Sequence, residues 1–110
     1  MGQPMTKGYW VIFVDVSDLA AFKAYQAESA PALRKYGAWF LDRGAETDVP
    51  EGKARSRAVV IEFPSYEAAL ECFHSPEYAK AKAPRTGTAV MDVAIVRGYD
   101  RPQPTETHRT

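Results

Sequence analysis

The chain has 110 residues, of which 45% are hydrophobic, and its 14 lysines and arginines balance 14 aspartates and glutamates. Such a length is typical of one domain, and a formal charge of zero excludes the strongly basic surface with which proteins attract nucleic acid or an anionic membrane. A single cysteine, Cys72, excludes an internal disulfide and any zinc site built from several cysteines.

Composition divides the chain into a folded part and two ends. Residues 1–6 show no periodicity and are predicted to be flexible, whereas residues 101–110 are polar and are predicted to form a disordered tail. The single domain then covers residues 7–100. We expect a cytoplasmic protein, because no apolar run approaches the length of a membrane span and the first residues lack the apolar core of a signal peptide.

Hydrophobic periodicity predicts strands and helices in the order βαββαβ. A capping serine, Ser75, followed by Pro76 and Glu77, predicts one short helix before the last strand. The predicted strands cover residues 8–14, 38–41, 58–63 and 90–96, and the predicted helices cover residues 19–36, 66–73 and 77–82. Pro31 lies within the first helix and removes a backbone hydrogen bond there, so we expect a kink or two helical pieces. Gly37 provides the left-handed residue that ends this helix.

This order of elements specifies an α+β fold, the ferredoxin-like sandwich, in which helices cover one face of a four-stranded antiparallel sheet. Strand alternation assigns five apolar residues to the helix-covered face: Ile12, Val14, Phe40, Ile61 and Phe63. Asp15, Arg43 and Glu62 are then predicted to share the opposite face.

Several short motifs occur in an order and at a spacing that are jointly specific. They are Gly8-Tyr9-Trp10, Tyr36-Gly37, Phe40-Leu41-Asp42-Arg43-Gly44, Val59-Val60-Ile61-Glu62-Phe63-Pro64-Ser65 and Ser75-Pro76-Glu77-Tyr78. Together they resemble the small bacterial family known as domain of unknown function 1330, over about residues 7–99. The resemblance implies a dimeric α/β barrel, in which two ferredoxin-like sheets face each other across a homodimer interface. That superfamily includes cofactor-free monooxygenases, lactone isomerases and haem enzymes, and the family offers no catalytic signature to transfer.

Arg43 and Glu62 are candidates for catalysis, because the second and third strands are neighbours in this fold and the two side chains are predicted to pair. In a catalytic interpretation, desolvation raises the pKa of Glu62, which acts as a base, while Arg43 holds an anionic or enolate oxygen. In a structural interpretation, the pair fixes the register of the dimer. We favour the structural interpretation, since ion pairs perturb titration without any chemistry attached.

His74 is the candidate for proton transfer at neutral pH, because it is the single histidine of the folded part. Its place at the end of the second helix favours a solvent-facing helix terminus instead. One histidine without a metal-ligand spacing does not predict a metal site. A haem-degrading enzyme is a further alternative, and its haem binding would depend on His74.

Five further residues are candidates for contact with a ligand: Asp15, Tyr25, Trp39, Tyr78 and Arg85. Amphipathic rings between helices and sheet are suited to gripping a small unsaturated acid, although for Tyr25 a place in the core is favoured. Tyr78 and Arg85 bracket the short third helix, which is predicted to have few apolar anchors and to form a lid.

Two residues are predicted to have structural roles. Cys72 lies between apolar neighbours on the second helix and has no positive neighbour in sequence, so we expect a buried, inert thiol. Asp92 interrupts the apolar fourth strand and is predicted either to pair with an arginine such as Arg57 or to protect an exposed edge.

The leading hypothesis is a homodimer that binds a small organic acid or oxygenated metabolite. Its reaction would be that of a cofactor-free isomerase or lyase, or of a monooxygenase, in which Arg43 orients the anion and Glu62 or His74 moves the proton. No cofactor or metal is implied, and neither nucleic acid nor a membrane is an expected partner. The alternative is a non-catalytic ligand-binding or structural homodimer.

Overall fold

The computed structural model describes residues 6–85 and 87–105 of the chain. Its elements follow one another in this order: β1 (Gly8–Val16), α1 (Leu19–Lys35), β2 (Trp39–Arg43), β3 (Arg57–Phe63), α2 (Tyr66–Phe73), α3 (Pro76–Lys82), a short 3-10 turn (Ala83–Arg85) and β4 (Ala89–Arg97). Most of the predicted flexible N-terminus and the second half of the predicted tail lie outside the described residues.

The four strands form one sheet in the order β2-β3-β1-β4, and every neighbouring pair is antiparallel. The central strand β1 is paired on both sides, which is consistent with its nearly continuous apolar sequence. This topology confirms the predicted α+β, ferredoxin-like fold.

The helices begin and end where side chains satisfy their free backbone groups. The carboxylate of Asp18 accepts a hydrogen bond from the Ala21 N–H at 3.1 Å and thereby caps α1. Gly37, with φ of +78°, follows the end of α1 as predicted. The helix runs through Pro31 without interruption, so its predicted division into two pieces is wrong. Pro31 is exposed, and water is therefore able to bond the carbonyl that the proline leaves free.

Trp10 is the centre of the core between the sheet and the helices. Only 1% of this residue is exposed, and its indole N–H donates to the Ala69 carbonyl at 2.9 Å. Three rings surround it with centroids at 5.0 to 5.5 Å: Phe63, Phe73 and Tyr78. The five residues predicted for the helix-covered face all belong to this core or pack against it, which confirms their assignment.

The opposite face of the sheet, which we call the outer face, carries no helix. Large apolar side chains are exposed on it, and the exposed fractions are 69% for Trp39, 54% for Leu41, 55% for Val90 and 41% for Val96. An uncovered antiparallel sheet face is ordinarily polar, so this surface has the composition of one that contacts another apolar surface.

None of the described helices is both long enough and apolar enough to cross a membrane.

Gly8 allows α2 to pack closely against β1, and replacing it with alanine is expected to destabilise the protein by about 1–3 kcal/mol. A Cβ atom at this position would lie 2.6 Å from the Tyr66 Cα atom and 2.7 Å from the Ser65 carbonyl oxygen, so the backbone of α2 would have to move. Urea denaturation would measure the change as a lower midpoint with an unchanged slope.

Gly98→Ala is the matched control for Gly8→Ala. A Cβ atom at Gly98 would approach its nearest neighbour, the Lys7 carbonyl oxygen, at 3.1 Å, which requires a smaller adjustment. Equal losses of stability in the two variants would contradict the explanation by close packing.

Candidate functional site

A β-bulge in β2 determines where Arg43 lies. Phe40 pairs with Ile61, but the next register pair is Asp42 with Val60, so Leu41 is an extra residue and Arg43 lies opposite Val59. One extra residue reverses the alternation of the residues that follow it. Arg43 therefore lies on the helix-covered face, and its predicted place on the opposite face is wrong.

Arg43 and the side chains of α1 enclose a cavity between that helix and the sheet, which we call the inner cavity. The inner cavity has a volume of about 40 Å³, which is larger than a single bound water requires. Most of the lining is apolar or aromatic: Trp10, Ile12, Val14, Phe22, Leu33, Phe40, Val59, Ile61 and Met91. The polar part of the lining consists of Tyr25, Gln26, Ser29 and Arg43.

A second, more open cavity of about 220 Å³ adjoins the first, and we call it the outer cavity. Four residues line both cavities: Gln26, Leu33, Phe40 and Arg43. The Arg43 guanidinium carbon lies 4.2 Å from the centroid of the Phe40 ring, a stacking contact that orients the cation. Arg43 is itself exposed, so it lies at the entrance to the apolar interior.

Glu62 lies on the outer face, where it pairs in register with Tyr9 and Trp39. Its carboxylate accepts a hydrogen bond from the Lys7 ammonium at 3.2 Å. The predicted pair between Arg43 and Glu62 is therefore wrong, because the bulge places the two side chains on opposite faces of the sheet. Trp39 also lies on the outer face, away from the lining of both cavities.

Asp15 takes part in a polar cluster at the end of the sheet. Its carboxylate accepts from the Ser56 backbone N–H at 2.8 Å and from Arg55 at 3.2 Å, and Arg55 also donates to Asp92 at 2.9 Å. The hydrogen bonds from Ser56 lower the pKa of Asp15. Asp92 thus pairs with an arginine, as one of its two predicted roles required, but the arginine is Arg55 and not Arg57. This cluster fastens the connection between β2 and β3 to the sheet.

Tyr25 and Tyr78 meet behind the inner cavity. Their hydroxyl oxygens are 2.5 Å apart, and the guanidinium carbon of Arg85 lies 5.2 Å from the centroid of the Tyr25 ring. Burial raises the pKa of both phenols, so both are protonated at neutral pH. Tyr78 is only 1% exposed and packs against Trp10 and Phe73, so the prediction of few apolar anchors in α3 is wrong.

His74 is exposed at the C-terminal end of α2, where its ring contacts Phe73 edge to face at 5.4 Å. It lines neither the inner nor the outer cavity. This exposed position of His74 agrees with the interpretation favoured from the sequence, a solvent-facing residue at the end of a helix. Among residues 6–85 and 87–105, no group of three or more histidines, cysteines, aspartates and glutamates is arranged to hold a metal ion.

Cys72 is fully buried, and its burial, followed by the nearby Glu77 charge, raises the pKa of its thiol to about 12. Because the thiolate is the reactive form, we expect no appreciable reaction of Cys72 with a disulfide reagent such as DTNB in the folded protein at pH 8. The same reagent should react completely in urea. Rapid reaction under native conditions would contradict the assignment of an inert thiol.

Sequence reasoning missed Gln26 and Ser29 as lining residues. With Phe22 and Leu33 they follow helical spacing along α1, and this spacing is the signal that would have placed them on the side facing the sheet. The Ser29 hydroxyl donates to the Gln26 carbonyl at 3.1 Å. The cavity thus combines a cation at its entrance, hydroxyl and amide groups along α1 and an apolar body.

The arrangement is suited to bind a small molecule that is mostly apolar and carries a negative charge at one end. The apolar walls would replace water around its body, and Arg43 would pair with the charged group at the entrance. Neither Glu62 nor His74 belongs to the described lining, in which Tyr25 is the acid–base group besides Arg43.

The family model described as domain of unknown function DUF1330 matches residues 7–99 of the chain. No curated protein matches the chain significantly.

Solved structures share the fold at low sequence identity. The structure of methylated RPA0582, from Rhodopseudomonas palustris, is 17% identical, with 90% of this chain and 85% of that chain covered and a TM-score of 0.70. SnoaB, a cofactor-independent oxygenase from Streptomyces nogalater, is 12% identical, with 91% and 99% covered and a TM-score of 0.57. An EthD family protein from Bacillus halodurans is 15% identical, with 88% and 100% covered and a TM-score of 0.52. At these identities the likeness concerns the fold alone.

Proposed function

The chain belongs to the DUF1330 family, and from this premise we propose that it binds a small organic acid in the inner cavity and acts on it as a cofactor-independent oxygenase. The observation that carries the proposal is the position of Arg43, at the entrance to a mostly apolar cavity between α1 and the sheet. The likeness of fold to SnoaB, which is named a cofactor-independent oxygenase, supports the choice of reaction.

The cavity supports this chemistry through its electrostatics. In an oxygenation without a cofactor, the bound substrate must itself supply electrons to oxygen, so its electron-rich enolate or phenolate form has to be stabilised. The guanidinium of Arg43 favours an anion at the entrance, and the apolar walls exclude water from the part of the ligand that lies inside the cavity. Glu62 and His74, which the sequence suggested as proton carriers, have no role in this proposal because they lie outside the lining.

We further propose that the protein is a homodimer formed through the outer face. Val11, Phe13 and Val60 are half-buried at the middle of that face, and the exposed Trp39 and Leu41 extend it along β2. A second copy would cover this apolar surface and leave the charged cluster of Asp15, Arg55 and Asp92 near its margin. A cytoplasmic location belongs to the same proposal and is supported by the single thiol, which is buried and free.

The alternative proposal is a dimer that binds a ligand without reaction. The placement of Glu62 and His74 outside the cavity favours it, because a proton-transferring group must reach its proton.

Binding and turnover separate these proposals. Unsaturated, aromatic and oxo carboxylic acids would be added to the isotopically labelled protein, and NMR chemical shifts should change for Ser29, Phe40 and Arg43. Oxygen consumption and product formation would then be measured with each acid that binds. Binding with oxygen consumption supports the oxygenase, and binding without turnover of any acid supports the alternative. Shifts confined to the cluster around Asp15 and Arg55 would contradict both.

A further inference from the structure

Two buried tyrosine hydroxyls and an arginine form a polar group beside the inner cavity, which Arg43 also lines. Tyr25 is 7% exposed and Tyr78 is 1% exposed, and their hydroxyl oxygens lie 2.5 Å apart. Of these two residues, Tyr25 lines the inner cavity, whereas Tyr78 packs behind it against Trp10. The Arg85 guanidinium lies over the Tyr25 ring.

A count of hydrogen-bond donors shows that this group is incomplete. Two hydroxyls carry two hydrogens, and their mutual bond uses one of them, so one O–H donor remains. The Nε atom of Arg85 is buried and has no hydrogen-bond partner among the described residues. Buried donors without an acceptor are unfavourable and are rare in folded proteins, so an additional acceptor would stabilise this group.

The charges around the group indicate what kind of acceptor fits. Arg85 supplies a positive charge that opposes the effect of burial on both tyrosine pKa values. Burial nevertheless raises both values, so both phenols keep their hydrogens at neutral pH and remain able to donate. Arg43 lines the inner cavity, Arg85 lies over the ring of Tyr25, which also lines it, and no carboxylate is among the described lining residues. An acceptor with negative charge is therefore favoured.

We infer that Tyr25, supported by Tyr78 and Arg85, binds a second oxygen of the ligand, so that the substrates are acids that also carry an enolate or phenolate oxygen. This inference rests on the proposed function, in which Arg43 binds the carboxylate. Tyr78 donates to the Tyr25 oxygen, and Tyr25 donates to the ligand oxygen, so the two bonds strengthen each other. Tyr25 contacts the ligand, and Tyr78 is a positioning residue.

The class of substrate follows from the two polar groups that would bind it, the Arg43 guanidinium and the Tyr25 hydroxyl. An oxo acid in its enol form, or a phenolic acid, has one oxygen function for Arg43 and another for Tyr25, joined by an apolar body for the walls. A simple fatty acid would leave the tyrosine group without its acceptor. We therefore expect the site to prefer a phenolic or enolic acid to an acid of the same size that lacks the second oxygen.

4-Nitrophenol is a suitable probe, because its phenolate absorbs visible light and its bound and free pKa values are measured directly by titration. In the wild-type protein, the phenolate should bind more tightly than the phenol, so binding should lower the pKa of the probe. Tyr25→Phe should weaken phenolate binding by about tenfold and reduce the shift accordingly. Tyr78→Phe and Arg85→Met should each reduce the shift in part, and circular dichroism would confirm that each variant is folded.

Tyr36→Phe is the matched control, since Tyr36 lies at the end of α1 and lines neither cavity. A full shift in this control, with losses in the three variants, supports the inference. An unchanged shift in Tyr25→Phe and Tyr78→Phe, or binding of benzoate without binding of 4-nitrophenol, overturns the inference and leaves the proposed function intact. If the wild-type protein binds neither the probe nor any acid, the proposed function fails first and the inference falls with it.

Discussion

Replacing Arg43 with methionine is expected to weaken the binding of a small carboxylate by about tenfold or more. A hydrogen bond to a charged group contributes about 1.5–3 kcal/mol, and the exposure of Arg43 places the expected effect near the lower end of that range. Methionine retains much of the side-chain length and the contact with Phe40 but removes the charge. Titration calorimetry with an acid that binds the wild-type protein would measure the change.

Two further variants make the Arg43 experiment specific. Arg43→Lys keeps the charge but loses the planar guanidinium that matches a carboxylate, so it should bind with intermediate affinity. Arg101→Met removes an arginine that lies outside both cavities and should bind like the wild-type protein. If Arg43→Met bound the acid as tightly as Arg101→Met, Arg43 would have no part in ligand binding.

Replacing Val11 with aspartate is expected to convert the proposed homodimer into monomers. Val11 lies on the central strand and pairs in register with Val60 on one side and Ala94 on the other, so the new carboxylate would be at the middle of the outer face. An unpaired charge is costly to bury, and a cost of a few kcal/mol raises the dissociation constant of the dimer by about 100-fold or more. Sedimentation velocity across a range of concentrations would measure this constant.

Ala24→Asp is the control for the dimer experiment, because Ala24 is exposed on α1 and lies on the other side of the sheet. This variant should remain a dimer. A wild-type protein that sediments as a folded monomer at micromolar concentration would contradict the dimer proposal directly. A Val11→Asp variant that remained dimeric would show that the two copies meet through another surface.

The alternation of apolar residues was sufficient to predict the faces of β1 and β3. Ile12, Val14, Ile61 and Phe63 are all buried on the helix-covered face, since both strands pair without interruption and each side chain keeps its two-residue period. The spacing of apolar residues also predicted α1 and α2, and the cap at Ser75 with Pro76 after it predicted α3. The caps at Asp18, Ser65 and Ser75 are local features of the sequence.

The same reasoning failed at the residue that matters most for the proposed function. Nothing in the short segment around Leu41 marks the bulge, because an extra residue depends on how β2 pairs with β3 rather than on β2 itself. The bulge moved Arg43 to the inner cavity and separated it from Glu62. If the two-residue alternation is continued past a bulge, every residue after the bulge is therefore assigned to the wrong face of the sheet.

The sequence by itself determined the elements, their order and the composition of the two sheet faces, because propensity, capping and periodicity act between residues close in the chain. Only the tertiary structure decided which polar side chains share a cavity. Tyr25 and Tyr78 meet although 53 residues separate them, and Arg43 joins them on the same side of the sheet through a change of register. Such contacts depend on packing between distant segments, which no local pattern encodes.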